Sequence, residues 1–279
     1  MKPRPFDYAR PDTVDEAVAL LAEHGDDARI LAGGQTLLAM LNLRVVEPAV
    51  LIDITRIPEL DVIREVVTPR GGGTVEVGAA VTQNRLMAWP ALAKKLPLLA
   101  AALPFVGHFQ TRNKGTVCGS IAHADPASEI PLSLALLEGE VVLRSRRGER
   151  VLPAAEFQQG MLTTAREGDE LITAVRFPVM TAGVAFREVA RRHGDFAIVA
   201  VAALVESATS IRIGVAGMAE RPAVRRIKAD GASSIRDAVE RLAWELEGYD
   251  DLHASARMRR DLLRGIAPAV VEEAIKCAA

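Results

Sequence analysis

Helix and strand signals alternate along this chain up to about residue 178, and beyond it three strand-like runs follow one another before any helix appears. That change of pattern constrains the fold more than any single motif. Consecutive strands followed by helices predict an α+β arrangement rather than one doubly wound sheet. In the first part, Thr13 and Glu16 form a T-x-x-E capping box, Gly25 closes the helix, and Ala17, Val18, Leu20 and Leu21 make its apolar face. A buried strand is expected over 28–32, a turn at Gly33-Gly34, a short helix over 36–43 and a second strand over 50–54. A glycine turn at 71–73 introduces a strand at 74–81, and 82–103 reads as helix broken at Pro90 and Pro97. Asp125 as N-cap with Pro126 at the first helical position predicts a helix ending near Gly139. A hairpin follows over 140–152, turning at Arg147-Gly148, and then a strand over 170–177. The segment 178–183 reads as a linker. After it come strands at 185–189, 197–206 and 210–217, an amphipathic helix at 236–247 and a closing helix at 257–278.

Length and composition narrow the class. The chain has 279 residues and a net charge of −2, with 49% hydrophobic residues, as in an ordinary globular protein. Near-neutral charge argues against a dedicated nucleic-acid binder. Cys118 and Cys277 give neither a disulfide framework nor a paired metal spacing, so no metal site is expected. The N-terminus has no apolar signal-peptide core and no apolar run reaches membrane-spanning length, so a cytoplasmic location is expected.

Three stretches could carry chemistry. In ILAGGQTLLAM, a double glycine between strand and helix lets backbone approach a ligand, and the helix opening at Gln35-Thr36 offers free amides to an anion. A plain tight turn is the competing reading. In TRNKGTVCGSIAHADPASEIP, nearly every side chain from Gly115 to Ala127 is small, with hydroxyls at Thr116 and Ser120. Asp125 and Glu129 follow at i and i+4 and could accept bonds from ligand hydroxyls, or merely cap a helix. In FREVARRHGDF, Arg187, Arg191, Arg192 and Asp195 form either a solvated edge or a basic wall beside a ligand. No Ser-His-Asp arrangement or histidine cluster is evident, so no catalytic side chain is assigned.

Together, LAGGQTLLAMLNLR, TRNKGTVCGSIAHADPASEIP and VARRHGDFAIVAVAAL resemble three signatures of the FAD-binding medium subunit of molybdenum hydroxylases. That family includes the medium subunit of aerobic carbon monoxide dehydrogenase and the flavin domain of xanthine dehydrogenase. The resemblance runs in order over nearly the whole chain. It implies a two-part α+β FAD-binding domain of the vanillyl-alcohol-oxidase (PCMH) type over 1–178, with subdomains of about 1–56 and 57–178. A C-terminal domain over 179–279, with a three-stranded antiparallel sheet and helices, would follow. It implies pyrophosphate-binding backbone at Ala32, Gly33, Gly34, Gln35, Thr36 and Leu37. A second cradle is implied at Thr111, Gly115, Thr116, Gly119 and Ser120, with Ile172 beside the cofactor. Glu129, with Asp125 as neighbour, would take a flavin hydroxyl, and Arg187 would lie near the flavin ring. Family members read T-x-G-G where this chain has Thr116-Val117-Cys118-Gly119. If that position needs a positive φ, Cys118 is strained there and FAD binding is weakened.

The same resemblance implies the function. FAD in this chain would collect electrons from the [2Fe–2S] clusters of a small subunit, fed by a molybdenum cofactor in a large molybdopterin-binding subunit. It would pass them to an external acceptor. The assembly would be a heterotrimer, or a dimer of heterotrimers. Two isolated cysteines cannot hold a further cluster in this chain. The alternatives are a self-contained PCMH-type flavin oxidoreductase and a flavin-free scaffold subunit.

Overall fold

The computed structural model describes residues 2–67 and 73–278, so most of the expected glycine turn at 71–73 lies outside the described residues. The N-terminal elements are β1 (Asp7–Ala9), α1 (Val14–His24), β2 (Ala28–Leu31), α2 (Leu37–Asn42) and β3 (Val50–Asp53). The strands form a parallel sheet in the order β1-β3-β2. The signals read for α1 act as expected: Thr13 Oγ1 accepts from the Glu16 amide, and the Glu16 carboxylate accepts from the Asp12 amide, one residue ahead of the cap. Gly25, at φ +51°, returns its amide to Leu21.

The middle of the chain comprises β4 (Ile63–Val67), β5 (Gly73–Gly78), α3 (Gln83–Met87), α4 (Leu92–Lys95), α5 (Pro97–Ala102), α6 (Phe109–Arg112), α7 (Val117–His123) and α8 (Glu129–Leu136). It continues with β6 (Glu140–Ser145), β7 (Gly148–Pro153), α9 (Ala154–Phe157), β8 (Gln158–Gly160), β9 (Thr163–Thr164) and β10 (Leu171–Pro178). Five strands make one antiparallel sheet in the order β4-β5-β10-β6-β7. The helix expected to start at Asp125-Pro126 begins later. Ser128 is its N-cap residue and Glu129 its first residue, while Asp125 Oδ1 accepts from the Ala127 amide at 2.8 Å. An aspartate ahead of a proline makes this local turn more readily than it opens a helix.

The C-terminal part comprises β11 (Val184–Val189), β12 (Val199–Ser207), β13 (Ser210–Ala216), β14 (Ala223–Lys228), α10 (Ala232–Leu246) and α11 (Ala256–Ala278). Its sheet has four strands, not the three expected. The extra strand, AVRRIK, is an edge whose two central arginines are exposed, so it carries little apolar signal. Both faces of the sheet are buried. Ala200, Ala202 and Leu204 of β12 join one apolar core with α5, α7, α8 and the first two sheets. Val199, Val201 and Ala203 join a second core with α10 and α11. A strand covered on both sides reads as the unbroken run VAVAALV rather than as an alternation. Arg259 on α11 is 2% exposed and pins this sheet end, donating to the carbonyls of Ile198, Gly217 and Tyr249 and pairing with Asp251.

Candidate cofactor site

Two glycine-bearing loops meet beside the first sheet. The first leaves β2 through Ala32 and Gly33-Gly34 and enters α2. The second leaves α6 and turns at Gly115 into α7, with Thr116 as N-cap: its Oγ1 accepts from the Gly119 amide at 2.9 Å. This loop is fastened to the chain after β5, because Gln83 N–H donates to Gly115 O and Val117 N–H donates to Val81 O. The loops touch backbone to backbone. A Cβ on Gly33 would lie 2.2 Å from Lys114 O and 2.6 Å from Gly115 Cα. Gly34 is needed for a different reason: its φ of +69° lies in the left-handed region. Gly33 therefore makes room for the second loop rather than directly for a ligand, as a reading of the turn alone suggests.

Around this contact lies a cavity of about 630 Å³, within the range of ordinary cofactor clefts. Ala32, Gly33, Gly34, Gln35, Thr36, Leu37, Thr111, Gly115, Thr116, Gly119, Ser120, Glu129 and Ile172 line it. Four of the residues singled out from sequence, Asp125, Arg187, Arg191 and Arg192, do not. Asp125 is spent on its own turn. Arg187 pairs with Glu273 of α11 at 2.7 Å. Strand alternation explains the case of Arg187: Ala185 and Arg187 face α11, and Phe186 and Glu188 face the other way, with the Phe186 ring tilted against Phe105, centroids 5.4 Å apart. Thr36 makes no side-chain cap to α2, so its hydroxyl is left for solvent or a ligand. The anion-binding helix start read at Gln35-Thr36 is a helix of only six residues beginning at Leu37.

Cys118 is not strained. It sits in the first turn of α7 without a positive φ, is 3% exposed, and directs its Sγ at Val77 O of β5. Burial pushes its thiol well above the ordinary range. Here it is a small core side chain, and the suggestion of a weakened flavin site that rested on it falls away.

Sequence reasoning missed several lining groups. Arg29 and Arg166 bring positive charge to the cavity, and burial first, with Arg29 second, lowers the pKa of Arg166. Gln83 lines it too, with a buried Oε1 that has no partner. Gly194 and Phe196 line it beside Asp195, which the sequence had singled out, all from the loop between β11 and β12; Gly194 packs so closely that a Cβ would meet Gly107 O at 2.8 Å. Only Gly194 and Asp195 had a local sequence signal, in RRHGD. Glu129 is 4% exposed, and burial, with Asp125 adding to it, pushes its carboxyl up to about 7. The arrangement offers bare backbone, hydroxyls, an unpartnered amide oxygen and cations. It suits a long polar ligand with an anionic segment.

Comparison with known proteins agrees with this geometry. Residues 4–180 match the family of FAD binding domains in molybdopterin dehydrogenase. The chain is 43% identical over 208 residues to the caffeine dehydrogenase subunit beta of Pseudomonas sp. (strain CBB1), covering 74% of this chain and 69% of that one. It is 37% identical over 252 residues to the carbon monoxide dehydrogenase medium chain of Hydrogenophaga pseudoflava, covering 87% and 86%. Among solved structures, quinoline 2-oxidoreductase from Pseudomonas putida 86 superposes with a TM-score of 0.91 at 33% identity, covering 100% of this chain and 99% of that chain.

Proposed function

This chain belongs to the FAD-binding subunits of molybdenum hydroxylases, and from that membership we propose that it is the electron-transfer flavoprotein of a heterotrimeric complex. The observation that carries the reading is the meeting of two glycine loops, backbone to backbone, on a cavity with no side chain between them. The residues present fit FAD. Ala32 to Leu37 and Gly115 to Ser120 would hold the pyrophosphate and ribityl chain through backbone amides and the hydroxyls of Thr36 and Ser120. Gln83 Oε1 and Glu129 would accept hydrogen bonds from its hydroxyls. Arg29 and Arg166 would offset the cofactor's negative charge. FAD supplies reversible exchange of one or two electrons when bound. The chain's own part is to orient it, exclude water along the glycine loops, and leave one edge reachable. No side chain is assigned as a catalytic acid, base or nucleophile, because substrate oxidation belongs to another subunit.

The partners in this proposal are a large molybdopterin-binding subunit and a small subunit carrying two [2Fe–2S] clusters, in a heterotrimer or a dimer of heterotrimers. The compartment is the cytoplasm, in keeping with the absence of any membrane-spanning helix among the described residues. We divide the chain into a FAD-binding domain through residue 178 and a C-terminal domain from 179, which the second apolar core supports. The test is the visible spectrum of the purified chain with mass identification of any released cofactor, followed by co-purification with co-expressed partners. Flavin bands with released FAD support the reading. A colourless chain that takes up no added FAD overturns it.

A further inference from the structure

Four arginines touch either the loop between β9 and β10 or the turn that follows α1, and their partners differ in kind. Arg147 takes the carboxylates of Glu167 and Asp169 at 2.6 and 2.7 Å. Arg150 takes both oxygens of the buried Glu170, at 2.6 and 2.7 Å. Arg29 and Arg166 pair with no carboxylate among the described residues and rest on carbonyl oxygens instead. Arg29 Nη1 donates to Asp26 O and Ala28 O at 2.7 and 2.8 Å. Arg166 Nη1 donates to Glu167 O and Glu170 O, both at 2.8 Å, and more distantly to Gly168 O.

The two segments touch. A Cβ on Gly168 would lie 2.6 Å from Asp26 Oδ1, so Arg29, anchored on Asp26, and Arg166, anchored around Gly168, are held to one patch. Both line the cavity. Like charges side by side in a partly buried wall repel, and Arg166 feels Arg29 in addition to its own burial. Glu170 and Asp26 act the other way, but the Glu170 oxygens are committed to Arg150 and to the Glu167 amide. Each of the two guanidiniums uses only Nη1, and its Nε and Nη2 donors have no partner among the described residues. Anchored by carbonyls, such a group keeps its full charge and its forked donor edge, the shape that grips a phosphoryl group through two bonds. Unpaired, it is costly to keep in a wall. Arg29 stands near the start of β2 and Gly33 just past its end, up to about 13 Å of extended chain away. Anion-binding groups therefore lie at both ends of this strand.

We propose that Arg29 and Arg166 form a phosphoryl seat, a second point of anion capture in the cavity beyond the glycine loops. Its ligand is a phosphoryl group, carried either by the diphosphate of the cofactor or by a free phosphate compound that enters the same wall. The seat rests on the two unpaired guanidiniums; the cofactor as a source of its ligand rests on the FAD reading. In the empty chain the two cations oppose each other, and an anion between them relieves that repulsion while filling their free donors.

The test uses the full chain stripped of flavin, with the variants Arg29→Gln, Arg166→Gln and Arg166→Lys. Inorganic pyrophosphate, ADP and FAD are titrated by calorimetry at low and at moderate salt. The natural chain should bind all three. Each Gln variant should weaken all three about tenfold or more and flatten their dependence on salt, which follows the charge at the seat. Arg166→Lys keeps the charge without the fork and should fall between. Arginine-dependent pyrophosphate binding that FAD displaces assigns the seat to the cofactor's own diphosphate. The same binding undiminished in the FAD-loaded chain assigns it to a free phosphate compound, and either result supports the seat. A natural chain that binds neither pyrophosphate nor ADP overturns the proposal, as do Gln variants whose affinities match those of the natural chain. Weakened binding with an unchanged salt dependence also overturns it, because the arginines would then serve only the shape of the loop. Should Arg166→Gln fail to fold, Arg29→Gln, whose guanidinium holds only two carbonyls, decides alone. If the natural chain takes up no FAD while pyrophosphate binds through the arginines, the cofactor reading fails and the seat stands.

Discussion

On one wall of the cavity, Gly33 lies against Lys114 and Gly115 with no side chain between the two loops. At another, Glu129 is 4% exposed, and burial, with Asp125 adding to it, pushes its carboxyl up to about 7. The first wall is fixed by shape. Atoms at van der Waals limits leave one solution, and any added carbon is refused. The second is fixed by charge, and its state changes with a proton while its shape does not. The difference teaches how each wall fails. A shape-fixed wall fails through substitution, in an all-or-none manner. A charge-fixed wall fails gradually, with pH.

The sharpest way to break this comparison is Gly33→Ala. Its Cβ would meet backbone that cannot swing aside, so we expect a loss of about 3 kcal/mol or more together with loss of bound FAD. Flavin absorbance per chain and thermal unfolding check this; a variant with full FAD and an unchanged midpoint breaks the shape argument. Gly34→Ala should cost less, about 1–2 kcal/mol for a left-handed residue with a Cβ, since the added carbon meets only Leu31 and Leu38 side chains at 3.1–3.2 Å. Equal effects of the two substitutions would mean that the two glycines do not differ in the way described. Cys118→Gly should destabilise by about 1–2 kcal/mol, mostly from the cavity a buried side chain leaves, with helix propensity adding a few tenths, and leave FAD occupancy intact; a gain in affinity would restore the strained-loop idea. Smallest is Arg187→Ala, which removes a half-exposed ion pair worth roughly 0–1 kcal/mol and should leave the flavin spectrum unshifted. A clear spectral shift would place Arg187 at the cavity after all.

The glycine-loop wall was legible in the sequence because glycine, threonine caps and prolines act locally. Thr13, Gly25 and the 36–43 segment do in the structure what their neighbours alone suggest. Most of the differences come from the absence of long-range information. Asp125 and Arg187 looked like ligand contacts because the direction of a side chain depends on its partners in space, and these lie at Ala127 and at Glu273. Arg29, Gln83 and Arg166 come from segments remote from any motif and converge only through tertiary packing. The fourth strand of the last sheet was missed because exposed arginines hide its register.

The seating of Cys118 has a use beyond packing. Its thiol, aimed at Val77 O and kept protonated by burial, reacts with an alkylating reagent only when α7 lifts from β5. Cys277, near the end of α11, is exposed. The molecule thus carries two clocks, one that starts at once and one that starts only on opening of the helix beneath the second glycine loop. The ratio of their modification rates, read by mass, gives the free energy of that opening, and a cofactor that clasps the loop should slow the inner clock while leaving the outer one running.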